Sequence, residues 1–397
     1  MKNLIGGKFV DASNGEKADV INPATNELID TVPLATEEDV DLCVKEAAKA
    51  QKAWAKMPMY ERGEILYKFA DLVEERHEEL AQLLSKETGK PIKEARAEIG
   101  NTKHFIHGYV EKAKHDYGNV IPAGSEVGQE KTMQITVQQP LGVVACIIPF
   151  NFPCDLFGQK VPSALIMGNS VIVKPATDNP LTLHRYCELL VEAGIPAGVI
   201  NCISGRGSVT GNALAKHPQV ALISVTGSTE VGAEVMANAA SNITHVMLEL
   251  GGNDAFIVMN DADMDLTMKE LVWGRLYNTG QVCCASKRFL VQKDIKDEFI
   301  KRAVETLQSL KVAMPQQEDA DIGCLINEKA AINAEEQVKK TMEQGATLVY
   351  GGRRNGAFFE PTILDNVTRD MDVMKDMEIF APVIPVCTFD TLEEALE

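Results

Sequence analysis

Gly142-Val143-Val144-Ala145-Cys146-Ile147-Ile148-Pro149-Phe150-Asn151 decides the fold. Gly142 to Ile148 is a continuous apolar run, stopped by Pro149. An apolar run of strand length, without polar alternation, predicts a strand covered on both faces. Asp155 to Met167 then carries apolar residues at helical spacing, and the alternation continues downstream. Strands are expected at Ser170 to Val173, Val199 to Ile203, Ala221 to Val225 and His245 to Leu248. Helices are expected at Thr182 to Glu192, near Val209 to Lys216, and at Val231 to Ala240. Strands alternating with amphipathic helices imply an α/β fold with a parallel sheet covered on both sides. Ligands bind such sheets beyond the carboxyl ends of the strands.

Upstream, residues 4 to 34 read as short strands and turns. Thr36-Glu37-Glu38-Asp39 opens a helix in the manner of a capping box, and Val40, Cys43, Val44 and Ala47 give it a core face. Helical runs follow at about Tyr60 to Lys86 and about Ile92 to His115, separated by Gly89-Lys90-Pro91. Nothing in these helices suggests chemistry of their own. Residues 117 to 140 are rich in turns, and Thr132 to Gln138 alternates with period two. That reads as a hairpin with one apolar face, either a subunit contact or a surface hairpin of one monomer.

Downstream of Glu249-Leu250-Gly251-Gly252 the chain starts again, with a strand at Ala255 to Met259 and a helix at Asp263 to Leu276. The helix breaks in Tyr277-Asn278-Thr279-Gly280-Gln281-Val282-Cys283-Cys284-Ala285, ahead of a strand at Arg288 to Val291. A thiol at an element end, shortly after a glycine, is open to a cleft, and its backbone amide is free to face a substrate oxygen. Cys283 is read as a nucleophile against the alternative of a buried free cysteine. Thr226-Gly227-Ser228-Thr229-Glu230-Val231-Gly232 is a turn into a helix N-terminus that suits a pyrophosphate or is an ordinary tight turn. Lys174, at a strand's carboxyl end, reaches a ribose or phosphate or is solvated.

The chain has 397 residues and a net charge of -18, which disfavours nucleic acid and anionic membrane as partners. No stretch is long and apolar enough to span a bilayer, and Met1 to Gly7 lacks a signal-peptide core. Nine cysteines without a secretory signal point to a reducing, cytoplasmic setting. His104 and His107 share a helix face but lack further ligands, so no metal is expected.

Taken together, these stretches resemble the aldehyde dehydrogenase superfamily from residue 4 to the end. The resemblance rests on Pro149-Phe150-Asn151-Phe152-Pro153, Lys174-Pro175, Val225-Thr226-Gly227-Ser228, Glu249-Leu250-Gly251-Gly252, Gly280-Gln281-Val282-Cys283 and Glu378-Ile379-Phe380-Ala381-Pro382-Val383, in that order. It implies a Rossmann-type cofactor domain at 1–117 and 140–248, a β-hairpin oligomerisation arm at 118–139, and an α/β catalytic domain at 249–397. It further implies oxidation of an aldehyde to a carboxylic acid with NAD or NADP. Cys283 would be the nucleophile, Asn151 and the Cys283 amide the oxyanion donors, Glu249 the general base, and Lys160 a proton relay. A desolvated site would raise the pKa of Glu249. Lys174 and Glu378 would hold the riboses of the cofactor. Thr226, Gly227, Ser228 and Gly232 would lie against its pyrophosphate, with Ile148, Pro149, Phe150, Thr177, Leu250 and Phe380 also lining its site. Phe152, Leu156, Gln159, Tyr277, Val282 and Cys284 would line the aldehyde tunnel.

Thr177 departs from NAD-restricted relatives, which often carry glutamate there, and suggests that NADP is accepted. Gln159 suggests a polar or hydroxylated aldehyde, and Phe150 and Ala381 lean toward the lactaldehyde and non-phosphorylating glyceraldehyde-phosphate branches. The chain ends at Thr391 to Glu397, short of the length such relatives reach, so either a fragment or a shortened protein is expected; at full length it would be a homodimer or homotetramer. Two alternatives stay open: a CoA-acylating enzyme, disfavoured by Glu249, and a catalytically silent nucleotide-binding protein. A cofactor-free thiol hydrolase would need a histidine near Cys283.

Overall fold

The computed structural model describes residues 1–397. Two sheets organise the chain. The first has seven strands, in the order His245–Glu249, Val220–Thr226, Val143–Ile147, Ser170–Lys174, Ile200–Cys202, Asn3–Ile5 and Lys8–Val10. The five from His245–Glu249 to Ile200–Cys202 run parallel, and the two N-terminal strands add antiparallel at the edge. The apolar run works as its pattern predicts. Val144 and Cys146 join the larger core on one face, and Val143 and Ala145 join a second core on the other. Chain order reverses between Val143–Ile147 and Val220–Thr226. A crevice opens at such a switch point, and the turns carrying Asn151 and Gly227 follow the two strands that flank it.

The second sheet has five strands, in the order Asp254–Val258, Ser286–Gln292, Val383–Phe389, Thr362–Val367 and Thr347–Tyr350, with only the last antiparallel. Phe289 and Val291 face one core while Leu290 packs on the other. Residues 250–253 join the two sheets, and Cys283 lies just before the strand Ser286–Gln292.

Several expectations are corrected. The run about Tyr60 to Lys86 is two helices, Met59–Glu75 and His77–Thr88, because the backbone at Arg76 departs from helical dihedrals, with φ -102° and ψ 15°. The helix expected at Asp263 to Leu276 is α-helical only over Met264–Leu271 and then loosens into a wider turn at Val272–Leu276. The hairpin read at 117–140 is present, though short: it pairs Val120–Ile121 with Gln134–Ile135, and Val120, Ile121, Ile135 and Val137 are exposed. No helix is long and apolar enough to cross a membrane.

Candidate active site

The cysteine turn is built from unusual backbone. Asn278, Thr279 and Gly280 all have positive φ, at 51°, 55° and 75°. L-residues adopt that region only when the surroundings fix them there. Here the surroundings do so. Asn278 N donates to Glu94 Oε2 at 2.8 Å, Gly323 N donates to Thr279 Oγ1 at 3.2 Å, and Ile326 N donates to Gln281 Oε1 at 3.0 Å. A methyl group on Gly280 would run into the backbone of Ala381 and Pro382. Buried Arg275 donates from Nε to Val383 O at 2.6 Å and from a terminal nitrogen to Ile379 O at 2.8 Å, tying the turn to the segment that carries Glu378.

Cys283 emerges from this turn half-buried, and Cys284 beside it is exposed. Burial pushes the Cys283 thiol up, Cys284 adds to that, and the Lys287 ammonium opposes it. Lys287 Nζ donates to the carbonyl oxygen of Cys283 at 2.6 Å. A methyl group on Gly252 would stand 3.4 Å from that same oxygen, so the Glu249–Gly252 turn lies against the cysteine turn.

Asn151 follows the strand Val143–Ile147 and precedes the helix Pro153–Ile166. Its Nδ2 donates to the carbonyl oxygen of Gln281 at 3.1 Å. Its own carbonyl oxygen accepts from Lys90 Nζ and from Asn278 Nδ2, each at 2.9 Å. The asparagine turn and the cysteine turn are thus bonded directly to each other across the two sheets.

Glu249, at the end of its strand, is exposed rather than desolvated as expected, because its edge strand lacks a neighbour on one side. It shares a cavity of about 290 Å³ with Gln159, Lys160, Ser163, Ser224 and Met247. Lys160 Nζ donates to Ser224 Oγ at 2.8 Å, and burial lowers its pKa, partly offset by Cys146 and Glu249. Gln159 therefore lies on the Glu249 side. Tyr277 and Phe152 are elsewhere, stacked at 5.9 Å and 2° beside a second, more apolar cavity of about 340 Å³ that Tyr277 lines with Glu94, Trp273 and Leu276. Leu156 packs on the main core, and Val282 is half-buried.

At the switch point, Ser228 Oγ accepts from Val231 N at 3.4 Å and caps the helix Thr229–Ala239. Thr226 Oγ1 is buried with no partner. A methyl group on Gly232 would meet Leu250 Cδ2 at 2.9 Å, so Leu250 would have to shift to admit one. Lys174 is buried at its strand's end, which lowers its pKa to about 8. Ile148 is buried next to Pro149, and Phe150 meets Phe380 edge-on at 6.0 Å. Thr177 Oγ1 donates to Gly205 O at 3.3 Å. Glu378 pairs with Lys287 at 2.9 Å and leaves no room for a side chain on Gly251. An unsatisfied hydroxyl, a capped helix N-terminus and a buried lysine along one crevice fit an anionic dinucleotide.

The profile of the aldehyde dehydrogenase family matches residues 9–397. The chain belongs to that family. It is 38% identical over 405 residues to D-glyceraldehyde dehydrogenase (NADP(+)) of Picrophilus torridus, covering 100% of this chain and 81% of that protein. It is 37% identical over 396 residues to lactaldehyde dehydrogenase of Escherichia coli, covering 99% of this chain and 82% of that one. A solved structure of 3,6-anhydro-L-galactose dehydrogenase superposes with a TM-score of 0.96 at 36% identity, covering 100% of this chain and 83% of that one. This aldehyde dehydrogenase is an oxidoreductase that uses NAD or NADP to convert an aldehyde to an acid.

Sequence reasoning missed the residues that hold the site together. Lys90, Glu94 and Glu98 come from a helical region read as chemically silent, yet all three are buried against the asparagine and cysteine turns. A signal was present: two acids one turn apart, just after a lysine in Gly89-Lys90-Pro91.

Proposed function

We propose that the chain oxidises a small polar or hydroxylated aldehyde, with Cys283 as nucleophile, Asn151 as oxyanion donor and Glu249 as base. The observation that carries this reading is the hydrogen bond from Asn151 Nδ2 to the Gln281 carbonyl, which ties the asparagine to the cysteine turn. A carboxamide nitrogen has two N–H groups, and that bond uses one. The other is free for the oxygen of an aldehyde held at Cys283.

The thiolate of Cys283 adds to the aldehyde carbon, and the carbonyl oxygen becomes an oxyanion. Asn151 and the Cys283 amide stabilise it as it forms. NAD or NADP, when bound, would supply the hydride acceptor for this oxidation, and Cys283 would then carry the acyl group as a thioester. Glu249 then takes a proton from water as the water attacks, the acid leaves, and the thiolate returns. The proton escapes through the cavity that Glu249 shares with Lys160. Thr226, Ser228, Gly232 and Lys174 would hold the phosphates and adenine ribose, and Glu378 the nicotinamide ribose. Thr177 places no carboxylate near the adenine ribose, which favours acceptance of NADP.

The fold divides as a cofactor domain at 1–117 and 140–248, a catalytic domain at 249–397 and an arm at 118–139. Exposed Val120, Val127, Met133, Ile135 and Val137 support contact between this arm and a second copy. The similarity to proteins named for D-glyceraldehyde and lactaldehyde supports the substrate class. The test is a panel of D-glyceraldehyde, lactaldehyde and succinate semialdehyde with NAD and NADP. Hydroxylated aldehydes should give the highest kcat/KM, and preference for the semialdehyde would count against the hydroxylated class and leave a charged polar aldehyde.

A further inference from the structure

The main-chain carbonyl of Asn151 is anchored by a lysine that no reaction step uses. Lys90 and Glu98 form an ion pair whose side chains are both 0% exposed. Beyond Glu98, Lys90 Nζ donates to Asn151 O at 2.9 Å and lies 3.9 Å from the centroid of the Phe152 ring. Glu98 Oε1 accepts from the amides of Cys154 at 2.8 Å and Asp155 at 3.4 Å, the first turn of the helix that carries Lys160. Removing two charges from water is costly, so such a pair persists only where further bonds satisfy both ions. Here the further contacts converge on Asn151 and on the residues just after it, Phe152, Cys154 and Asp155. One turn before Glu98 on its own helix, Ile92–Lys114, Glu94 holds Asn278 N at 2.8 Å, and Asn278 Nδ2 completes the grip on Asn151 O.

We propose that Lys90, paired with Glu98, is a positioning residue for aldehyde oxidation: it fixes the Asn151 carbonyl so that the side-chain amide faces the oxygen of an aldehyde on Cys283. This rests on the oxyanion role given to Asn151 above. Lys90 touches neither thiol nor substrate in this scheme. Its loss would let the Asn151 turn relax, and a donor misplaced by a fraction of an ångström weakens the transition state more than substrate binding.

Lys90→Met alone would strand Glu98 as a buried unpaired carboxylate, so the test uses Lys90→Met/Glu98→Gln, where the new amide oxygen still accepts from Cys154 and Asp155. A Lys90→Arg variant, which keeps the charge but exchanges the compact ammonium for a longer, planar guanidinium, replaces it if the neutral pair does not fold. Kinetics are measured with whichever aldehyde of the panel the wild type oxidises, alongside Asn151→Ala and the combined variant. Folding is checked by melting temperature and cofactor binding. The expected result is a kcat reduced on the order of 10- to 100-fold with KM within about twofold. Asn151→Ala should lose about 100-fold or more, and the combined variant should be no slower than Asn151→Ala. Wild-type kcat in the folded neutral pair or in Lys90→Arg, or losses that multiply with that of Asn151→Ala, would overturn the proposal alone. Wild-type kcat in Asn151→Ala would overturn the oxyanion assignment and this inference with it.

Discussion

Lys287 Nζ stands 2.9 Å from Glu378 Oε1, so the carboxylate assigned to the cofactor is paired with the lysine that also grips the carbonyl of Cys283. One buried ammonium therefore couples the thiol's backbone, the thiol's charge and a proposed cofactor contact. Lys287→Met removes the charge that opposes the burial-driven rise in the Cys283 pKa. The inactivation of Cys283 by iodoacetamide should shift to higher pH than in the wild type. An unchanged alkylation profile would show that Lys287 does not act on the thiol.

Gly280 holds φ at 75°, and a methyl group there would stand 2.6 Å from Pro382 N. Gly280→Ala combines a strained backbone with a clash against backbone that cannot swing away. A loss of about 3 kcal/mol is expected from the denaturant midpoint, together with loss of turnover. A variant of wild-type stability would mean that the turn is looser than its hydrogen bonds indicate.

Glu94 is buried, which pushes its pKa up to about 7 against the pull of the Asn278 amide and Lys90. Its folded value lies above the unfolded one, so between about pH 4.5 and 7 the folded state keeps a proton that the unfolded state releases. Stability from this group therefore falls as pH rises through that window and stays low above it. The size is roughly 3 kcal/mol. Glu94→Gln, which still accepts from Asn278 N, should be more stable than wild type at pH 8 and flatter across the window in urea titrations. A variant less stable than wild type at pH 8 would contradict this.

Thr177 is half-buried at the turn after Lys174 and donates only to Gly205 O. Thr177→Glu places a carboxylate where a 2′-phosphate would lie. The ratio of kcat/KM for NADP over NAD should drop on the order of 10- to 100-fold, because like charges facing each other cost several kcal/mol. An unchanged ratio would remove Thr177 from the cofactor site.

The parallel sheet was readable because Gly142 to Ile148 has no polar residue to face water, which leaves a two-sided strand as its natural form. Asn151, Glu249 and Cys283 stood out as candidates in the sequence because their motifs combine a reactive side chain with turn-forming glycine or proline. Lys90, Glu94 and Glu98 were not, since charges at helical spacing ordinarily mark a solvated face. Only the second sheet's turn, arriving from nearly two hundred residues away in sequence, buries Glu94 against Asn278. Left-handed Asn278 and Thr279 were equally hidden, because the hydrogen bonds that hold them come from distant residues. The exposure of Glu249 depends on what lies beside its edge strand, which residue types along that strand do not encode.

The central claim is that Cys283 carries the acyl group while Glu249 releases it. Glu249→Gln, mixed with NADP and an aldehyde that the wild type oxidises, should give a burst of one equivalent of reduced cofactor per chain and then almost no turnover. Mass spectrometry of the quenched protein should find the acyl group on the peptide containing Cys283, on that sulfur and not on Cys284. Steady turnover without a burst, or an acyl group on any other residue, would contradict the account.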